Sequence, residues 1–399
     1  MFNKIYVVSL LFLIFTGNAL ADTLSQPISY GTETYNDSND SVQTLDGGYL
    51  VVGSTLDPSV GDGLLGTITK FDNELNIVES VSIPDTLSPF YSSSFEIIEQ
   101  KTNGAYLILS VHEGAIGKEL YLIEVNDNLD IINTKQVLAD YPKSNVLNIE
   151  VIGDDIYIMG EATDPSLCDC YYPFLYKLNN NLDIAATYDG PFVGGSDTYF
   201  ADMIVNRDGN IILFGGADVV TTFANSSVYL TELDKDLILI KESEKYYVNS
   251  DPDAFSGFFY SYAPHVHQLD SGEYLSLVDP KSIVMSDRFL KFSEDLSSFV
   301  VISSVYHHHV IDMEVVNDND YIIYGKDDSS GDAIAVNVDA YYNPLGAPAA
   351  LSGSEDNGIT SIQSYLNDFV TFGESNSTDG DFINNKGDAD PFYSIYTRE

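Results

Sequence analysis

The sequence predicts an all-β fold: a seven-bladed β-propeller of four-stranded antiparallel blades, with the ring closed by the N-terminal strand. Three observations carry that expectation. An apolar run ending in glycine or another small residue recurs seven times, at 49–53, 106–110, 156–160, 211–215, 274–278, 321–325 and 369–373. The copies lie about fifty residues apart, room for about four short strands each, which is the spacing of propeller blades rather than of shorter solenoid coils. The last copy ends at Glu399 one strand short, while a strand-like segment at 24–30 belongs to no repeat of its own.

The elements follow in order along the chain. Lys4, an apolar run over 5–15 and the small-residue pattern Ala19-Leu20-Ala21 predict a signal peptide over 1–21, with cleavage before Asp22. The run is too short to span a bilayer, so the mature chain, 22–399, is expected to be exported, secreted or periplasmic, without membrane insertion. In the first repeat the turn residues cut strands A to D at 41–44, 49–53, 65–71 and 76–83. A–B turns are tight and rich in Asp, Asn and Gly, as in Asp46-Gly47-Gly48 and Arg207-Asp208-Gly209, and so are C–D turns such as Asp72-Asn73-Glu74. Such turns need residues that tolerate positive φ. Blade boundaries fall near 38–90, 91–145, 146–198, 199–263, 264–309, 310–357 and 358–399, the last completed by 22–32. Pairing 24–30 with the strand at 392–396 supplies the missing D strand and leaves no raw sheet edge at the join.

Composition bounds the partners. With 61 acidic against 17 basic residues the formal charge is −44, which disfavours nucleic acid and anionic membranes and favours cations. Adaptation to saline surroundings gives the same bias. Hydrophobic content of 44%, with 28 Tyr and 21 Phe, is ample for a folded core.

Asp46-Gly47-Gly48-Tyr49, Val52-Gly53 and Lys70-Phe71-Asp72 together resemble the secreted bacterial β-propeller repeat proteins whose repeats read as a DGGY turn, a V-x-G strand and a K-L-D strand. The resemblance spans nearly all of the mature chain and implies the fold; it carries no catalytic residue across. The absence of Trp separates the chain from quinone-binding propellers and from complete sialidase Asp-boxes.

Antiparallel alternation sends A–B and C–D turns to one face and B–C and D–A connections to the other. Long connections on a rigid scaffold are where binding residues concentrate, so the B–C/D–A face is the candidate site. All six histidines fall on or beside it: His112 in a B–C loop, His265 and His267 where a D–A connection enters strand A, and His307, His308 and His309 in the next. Aromatics gather there too: Phe90 and Tyr91, Tyr199 and Phe200, and Phe255, Phe258, Phe259, Tyr260 and Tyr262. Blade packing accounts for some of these. The candidate ligand-binding set is Tyr91, Tyr199, Phe200, Phe258, Tyr260, Tyr262, His265, His267 and His307, since tyrosine offers sugar rings or peptide side chains a flat apolar face and a hydroxyl.

Calcium is the candidate cofactor, on Asp379, Asp381, Asp388 and Asp390 of the last B–C loop, because it takes six to eight oxygen ligands; solvated turn aspartates are the alternative. Cys168-Asp169-Cys170 leaves a local disulfide, an intermolecular one and free thiols all open. No G-x-S-x-G or H-E-x-x-H motif is present. The expectation is a monomeric, non-enzymatic binding or scaffold module for a glycan, peptide or protein. A polysaccharide lyase or glycoside hydrolase at the channel mouth is the alternative.

Overall fold

The computed structural model describes residues 22–31, 36–57, 63–83, 92–114, 117–137, 145–163, 171–188, 196–219, 227–243, 246–247, 266–278, 288–303, 309–317, 319–327, 330–339, 341, 343–382, 385 and 389–398. They form seven antiparallel sheets, each a blade with strands in the order A, B, C, D. Blade 1 runs Asp40–Gln43, Tyr49–Asp57, Gly63–Phe71 and Ile77–Ser82. The A strands of blades 2 to 7 are Ser92–Gln100, Asn145–Ile152, Ser196–Val205, Val266–Gln268, His309–Asn317 and Asn357–Tyr365. A strands meet one another from blade to blade, which places them around the axis. Among the described residues the one helical turn is Gly380–Phe382, and none is long and apolar enough to cross a membrane.

The ring closes as the incomplete last repeat requires. Thr23 and Leu24 pair with Thr397 and Tyr396, and Ile28 and Ser29 with Tyr393 and Phe392. Ser25 donates its backbone N–H to Ile395 O at 2.8 Å and Tyr30 to Pro391 O at 3.0 Å. At the end of this strand Gly31 backs directly onto Asp390: a Cβ there would stand 2.5 Å from the carboxylate, so only glycine lets the two chains approach.

The core is divided among the blade interfaces. Both faces of a B strand are buried, so its residues alternate between neighbours: Tyr49 and Val51 pack with Val370 and Phe372 of blade 7, Leu50 and Val52 with Ile98, Ile108 and Ile123 of blade 2. Seven such apolar clusters, one for each pair of adjacent blades, make up the described core.

The repeat motif has a physical reading. Gly47 takes φ 84°, the left-handed turn conformation for which glycine has no steric cost. In Lys70-Phe71-Asp72 the lysine reaches the C–D turn of the next blade, Nζ to Asp127 Oδ1 at 2.7 Å, and Phe71 is buried. Asp72 folds its own turn, its Oδ1 accepting the N–H of Glu74 and of Asn76 at 2.9 Å. The same C–D turns place a leucine at positive φ in five blades: Leu75, Leu129, Leu182, Leu237 and Leu296. That backbone costs a leucine about 1–2 kcal/mol. All five side chains are buried between blades, a gain of about 1.5–3 kcal/mol each that offsets it.

Strand B differs from the expected 49–53 and 106–110 spans. It runs on past the small residue, to Asp57 in blade 1 and Gly114 in blade 2. Blade 2 therefore has no long B–C connection: Gly114 pairs with Gly117 across a tight hairpin.

Candidate functional site

Polar residues of the A strands tie the blades together around the axis. Asp40 Oδ2 accepts the N–H of Ile98 in the next blade at 2.9 Å. Asp202 repeats the arrangement three blades on, accepting the N–H of Val266 at 2.7 Å and the Asn148 amide at 2.5 Å. Ser361 and Ser41 share a hydrogen bond of 2.7 Å across the closing interface, where Gln363 also donates to Ser41 O at 3.0 Å. Satisfying backbone groups at the crowded centre is what these side chains do.

Between the ties lie carboxylates whose surroundings resist ionisation. Burial pushes the Glu150 carboxyl up to about 8, with Asp202 adding repulsion. Glu99 is raised by burial and then by Glu150 and Asp40. At the B–C/D–A end, burial and then Asp37 raise Glu374 to about 7, while Lys326 opposes them. Asp37 is itself raised, by burial first, although its carboxylate accepts both the N–H and the hydroxyl of Ser54. Acidity is thus concentrated along the axis and at its mouth, in groups that share protons rather than all carrying charge at neutral pH.

The proposed contact residues divide. Phe200 is fully buried and stacks on Tyr188 at a centroid distance of 6.1 Å, so it is interface packing and not a ligand surface. Tyr199 lies on the same A strand, paired with Gly216. His267 is half-buried on the A strand of blade 5, opposite Leu275. His112 belongs to strand B rather than to a loop: it is buried, shares a 2.8 Å hydrogen bond with the Ser110 hydroxyl and packs edge-on against Tyr121. Tyr91, Phe258, Tyr260, Tyr262, His265 and His307 lie outside the described residues, as do Asp388, Cys168, Cys170 and the segment 1–21.

In the last B–C loop, Asp379 Oδ1 accepts the N–H of Ser354 at 2.7 Å, and Asp381 Oδ2 that of Ser352 at 2.8 Å. Asp381 Oδ1 also accepts from Gln26 Nε2 at 3.0 Å, latching the loop to the closing strand. Asp390 is fully buried at the start of the last C strand. Among the described residues no three His, Cys, Asp or Glu side chains gather as metal ligands would.

Two clefts were not anticipated. One, about 80 Å³, lies at the seam between blades 7 and 1. The other, about 400 Å³, opens on the short-turn face between blades 1 and 2, walled by Leu45, Asp46, Tyr106, Asp127 and Ile132. Leu45 is 76% exposed and Ile132 56%, a signal that the tight A–B and C–D turns alone do not give.

No family model matches the chain, and no curated protein matches it. Among solved structures the fold is similar to that of puromycin hydrolase, with TM-score 0.54 and 9% identity over 89% of this chain and 54% of that one. It is also similar to polysaccharide lyase Uly1, with TM-score 0.54 and 8% identity over 94% of this chain and 92% of that one. An acylaminoacyl peptidase of Pyrococcus horikoshii matches with TM-score 0.49 and 12% identity over 86% of this chain. The chain spans about half the length of puromycin hydrolase and of the acylaminoacyl peptidase, 54% and 50%. At these identities the likeness is one of fold, and it agrees with the propeller.

Proposed function

We propose that the chain is an exported, non-enzymatic binding propeller that holds a glycan, peptide or protein over its B–C/D–A face. The observation that carries this reading is the use made of the axial polar groups. Asp40, Asp202 and Asn148 are spent on the neighbouring blade and hold the ring together, while His112 is buried against Ser110 of its own strand, so these groups do not converge on a reacting atom. The aromatic residues at 255–262, a connection of the same face, supply the contact surface in this reading. Replacing Phe258 and Tyr260 by alanine is expected to abolish retention on the ligand while leaving the melting temperature unchanged; unfolding would make the cluster blade packing instead.

Calcium belongs to the proposal as a ligand of the 379–390 loop, through the second lone pairs of the Asp379 and Asp381 oxygens. Calcium binding to the native state must raise apparent stability. The shift is expected to survive high sodium chloride and to vanish in the Asp379→Ala, Asp381→Ala variant; no shift at millimolar calcium removes the ion from the account.

One observation favours the enzyme reading, a lyase or glycoside hydrolase. Glu374, raised to about 7 by burial and Asp37, holds a proton near neutral pH as a general acid must. Cleavage of a polysaccharide that Glu374→Gln abolishes would establish it.

A further inference from the structure

The seam where the ring closes departs from the other interfaces in one column of the C strands. Opposite the last residue of the repeated B-strand run stand Tyr121, Phe174, Tyr229, Arg288, Ile334 and Phe392 in blades 2 to 7. In blades 2, 3, 4 and 7 the residue is aromatic and stands opposite Ser110, Gly160, Gly215 and Gly373, and the Phe392 ring lies directly over Gly373. Blade 1 has Thr67 there, opposite Gly53. At Thr67 the structure has a cleft of about 80 Å³.

The lining combines hydroxyl groups with the apolar surface of Val51, Val52 and Pro391, as a sugar's edge and ring face would require. Thr55, Thr67 and Ser82 of blade 1 face Tyr30 of the closing strand, with Asn36 and Asp37 at one end. The Tyr30 ring is fixed edge-on against Phe71 at a centroid distance of 5.1 Å. Its hydroxyl is buried without a well-formed hydrogen bond among the described residues, the Ser38 side chain lying beside it. Asp37 meets Ser54 with both oxygens, and each oxygen keeps a lone pair that can accept once more. Thr55 and Ser82 lie in the B–C/D–A halves of strands B and D, and Thr67 stands at the middle of strand C.

Such a lining selects its guest. A polar cavity of this size is wet, and a ligand gains only if it replaces the hydrogen bonds of the waters that it displaces. An apolar group would leave the buried Tyr30 hydroxyl without a partner. A cavity of about 150 Å³ is what a benzene ring occupies, so a cleft of about 80 Å³ admits only the diol or hydroxymethyl edge of a sugar, with the remainder of its ring outside. We propose that the seam between blades 7 and 1 is a binding site for the terminal residue of a neutral glycan, gripped by its vicinal hydroxyls between Tyr30, Asp37 and Thr67. This rests on the glycan form of the function proposed above and adds to it a site on blades 7 and 1.

The test uses small probes, glycerol and a panel of methyl glycosides, followed by ligand-observed NMR and by melting temperature. Thr67→Tyr restores the side chain found in blades 2 and 4 and fills the cleft; Thr67→Val removes one hydroxyl at constant shape. The wild type is expected to bind at least one methyl glycoside, Thr67→Tyr to weaken it by about tenfold or more without a lower melting temperature, and Thr67→Val by several-fold. If Thr67→Tyr does not fold, Thr67→Val decides. No binding of any probe by the wild type, which means water only, or equal binding by both variants, overturns the site. Retention of a polysaccharide by a wild type that binds no small probe sinks the seam site and leaves the binding face standing. Probe binding lost in Thr67→Tyr, with polymer retention unaffected by the Phe258→Ala, Tyr260→Ala pair, does the reverse.

Discussion

Glu374 makes this propeller less stable as the pH rises, and the effect can be isolated by one substitution. Its carboxyl follows Gly373 on strand B of blade 7, where burial and the neighbouring Asp37 raise it from the ordinary 4.5 to about 7 against the pull of Lys326. A group that holds its proton more tightly in the folded state gives the native protein more bound protons than the unfolded chain between those two values. Stability therefore falls as pH increases across that window and is recovered on acidification. The displacement corresponds to roughly 3 kcal/mol at the alkaline end, an upper value because solvent reaches part of the side chain. Glu374→Gln cannot ionise. Urea unfolding from pH 4.5 to 8.5 should show the variant gaining on the wild type as pH rises, by about 2–3 kcal/mol at pH 8, with the two converging near pH 4.5. A constant difference across the range, or a variant that loses ground at pH 8, would refute the assignment of Glu374 as a carboxyl held neutral by its surroundings.

Further expectations follow from the packing. Deleting residues 22–30 removes the D strand of blade 7 and its pairings with Phe392 to Thr397, and is expected to lower the melting temperature sharply and expose the last blade to protease; an unchanged melt would mean the ring closes without it. Leu182→Ala empties a buried site between blades 3 and 2 and should cost about 2–4 kcal/mol in denaturant unfolding, with a loss below 1 kcal/mol arguing that the left-handed leucines are strained without reward. Lys101→Met leaves Glu124 buried without the ammonium 2.8 Å away, and should cost about 3–5 kcal/mol in denaturant unfolding, with a loss below 1 kcal/mol arguing that the pair is dispensable.

The ring was legible in the sequence because each blade repeats its turn chemistry. Gly47 and its counterparts Gly104, Gly209 and Gly272 all take positive φ, and Asp72, Asn126, Asn179 and Asp234 each fold a C–D turn with the same carboxylate or amide bonds. The closing strand was legible from a shortage: the last repeat lacks a D strand and the segment at 24–30 lacks a blade. The site was less so. His112 looks like a loop residue only if strand B stops at Ser110, yet alternation continues through Val111 to Gly114 and turns the histidine inward. Phe200 follows a D–A connection, but the register of its strand, which slips between Phe200 and Asp202, points it into the interface with blade 3. The left-handed leucines had a signal in the Leu that recurs in the C–D turns of five blades, and the seam cleft had one in Thr67, the smallest residue of a column that holds Tyr121, Phe174, Tyr229, Arg288, Ile334 and Phe392 in the other blades. Both needed the strand register before they could be read.

The account turns on binding without turnover. Its most direct test passes the purified protein over a panel of immobilised neutral and acidic polysaccharides and basic peptides, and assays the same ligands in solution for new reducing ends, unsaturated ends or free amines. The account predicts retention on at least one ligand, lost in the Phe258→Ala, Tyr260→Ala variant, with no new chain ends after prolonged incubation. New chain ends that Glu374→Gln abolishes would contradict it and make the propeller an enzyme.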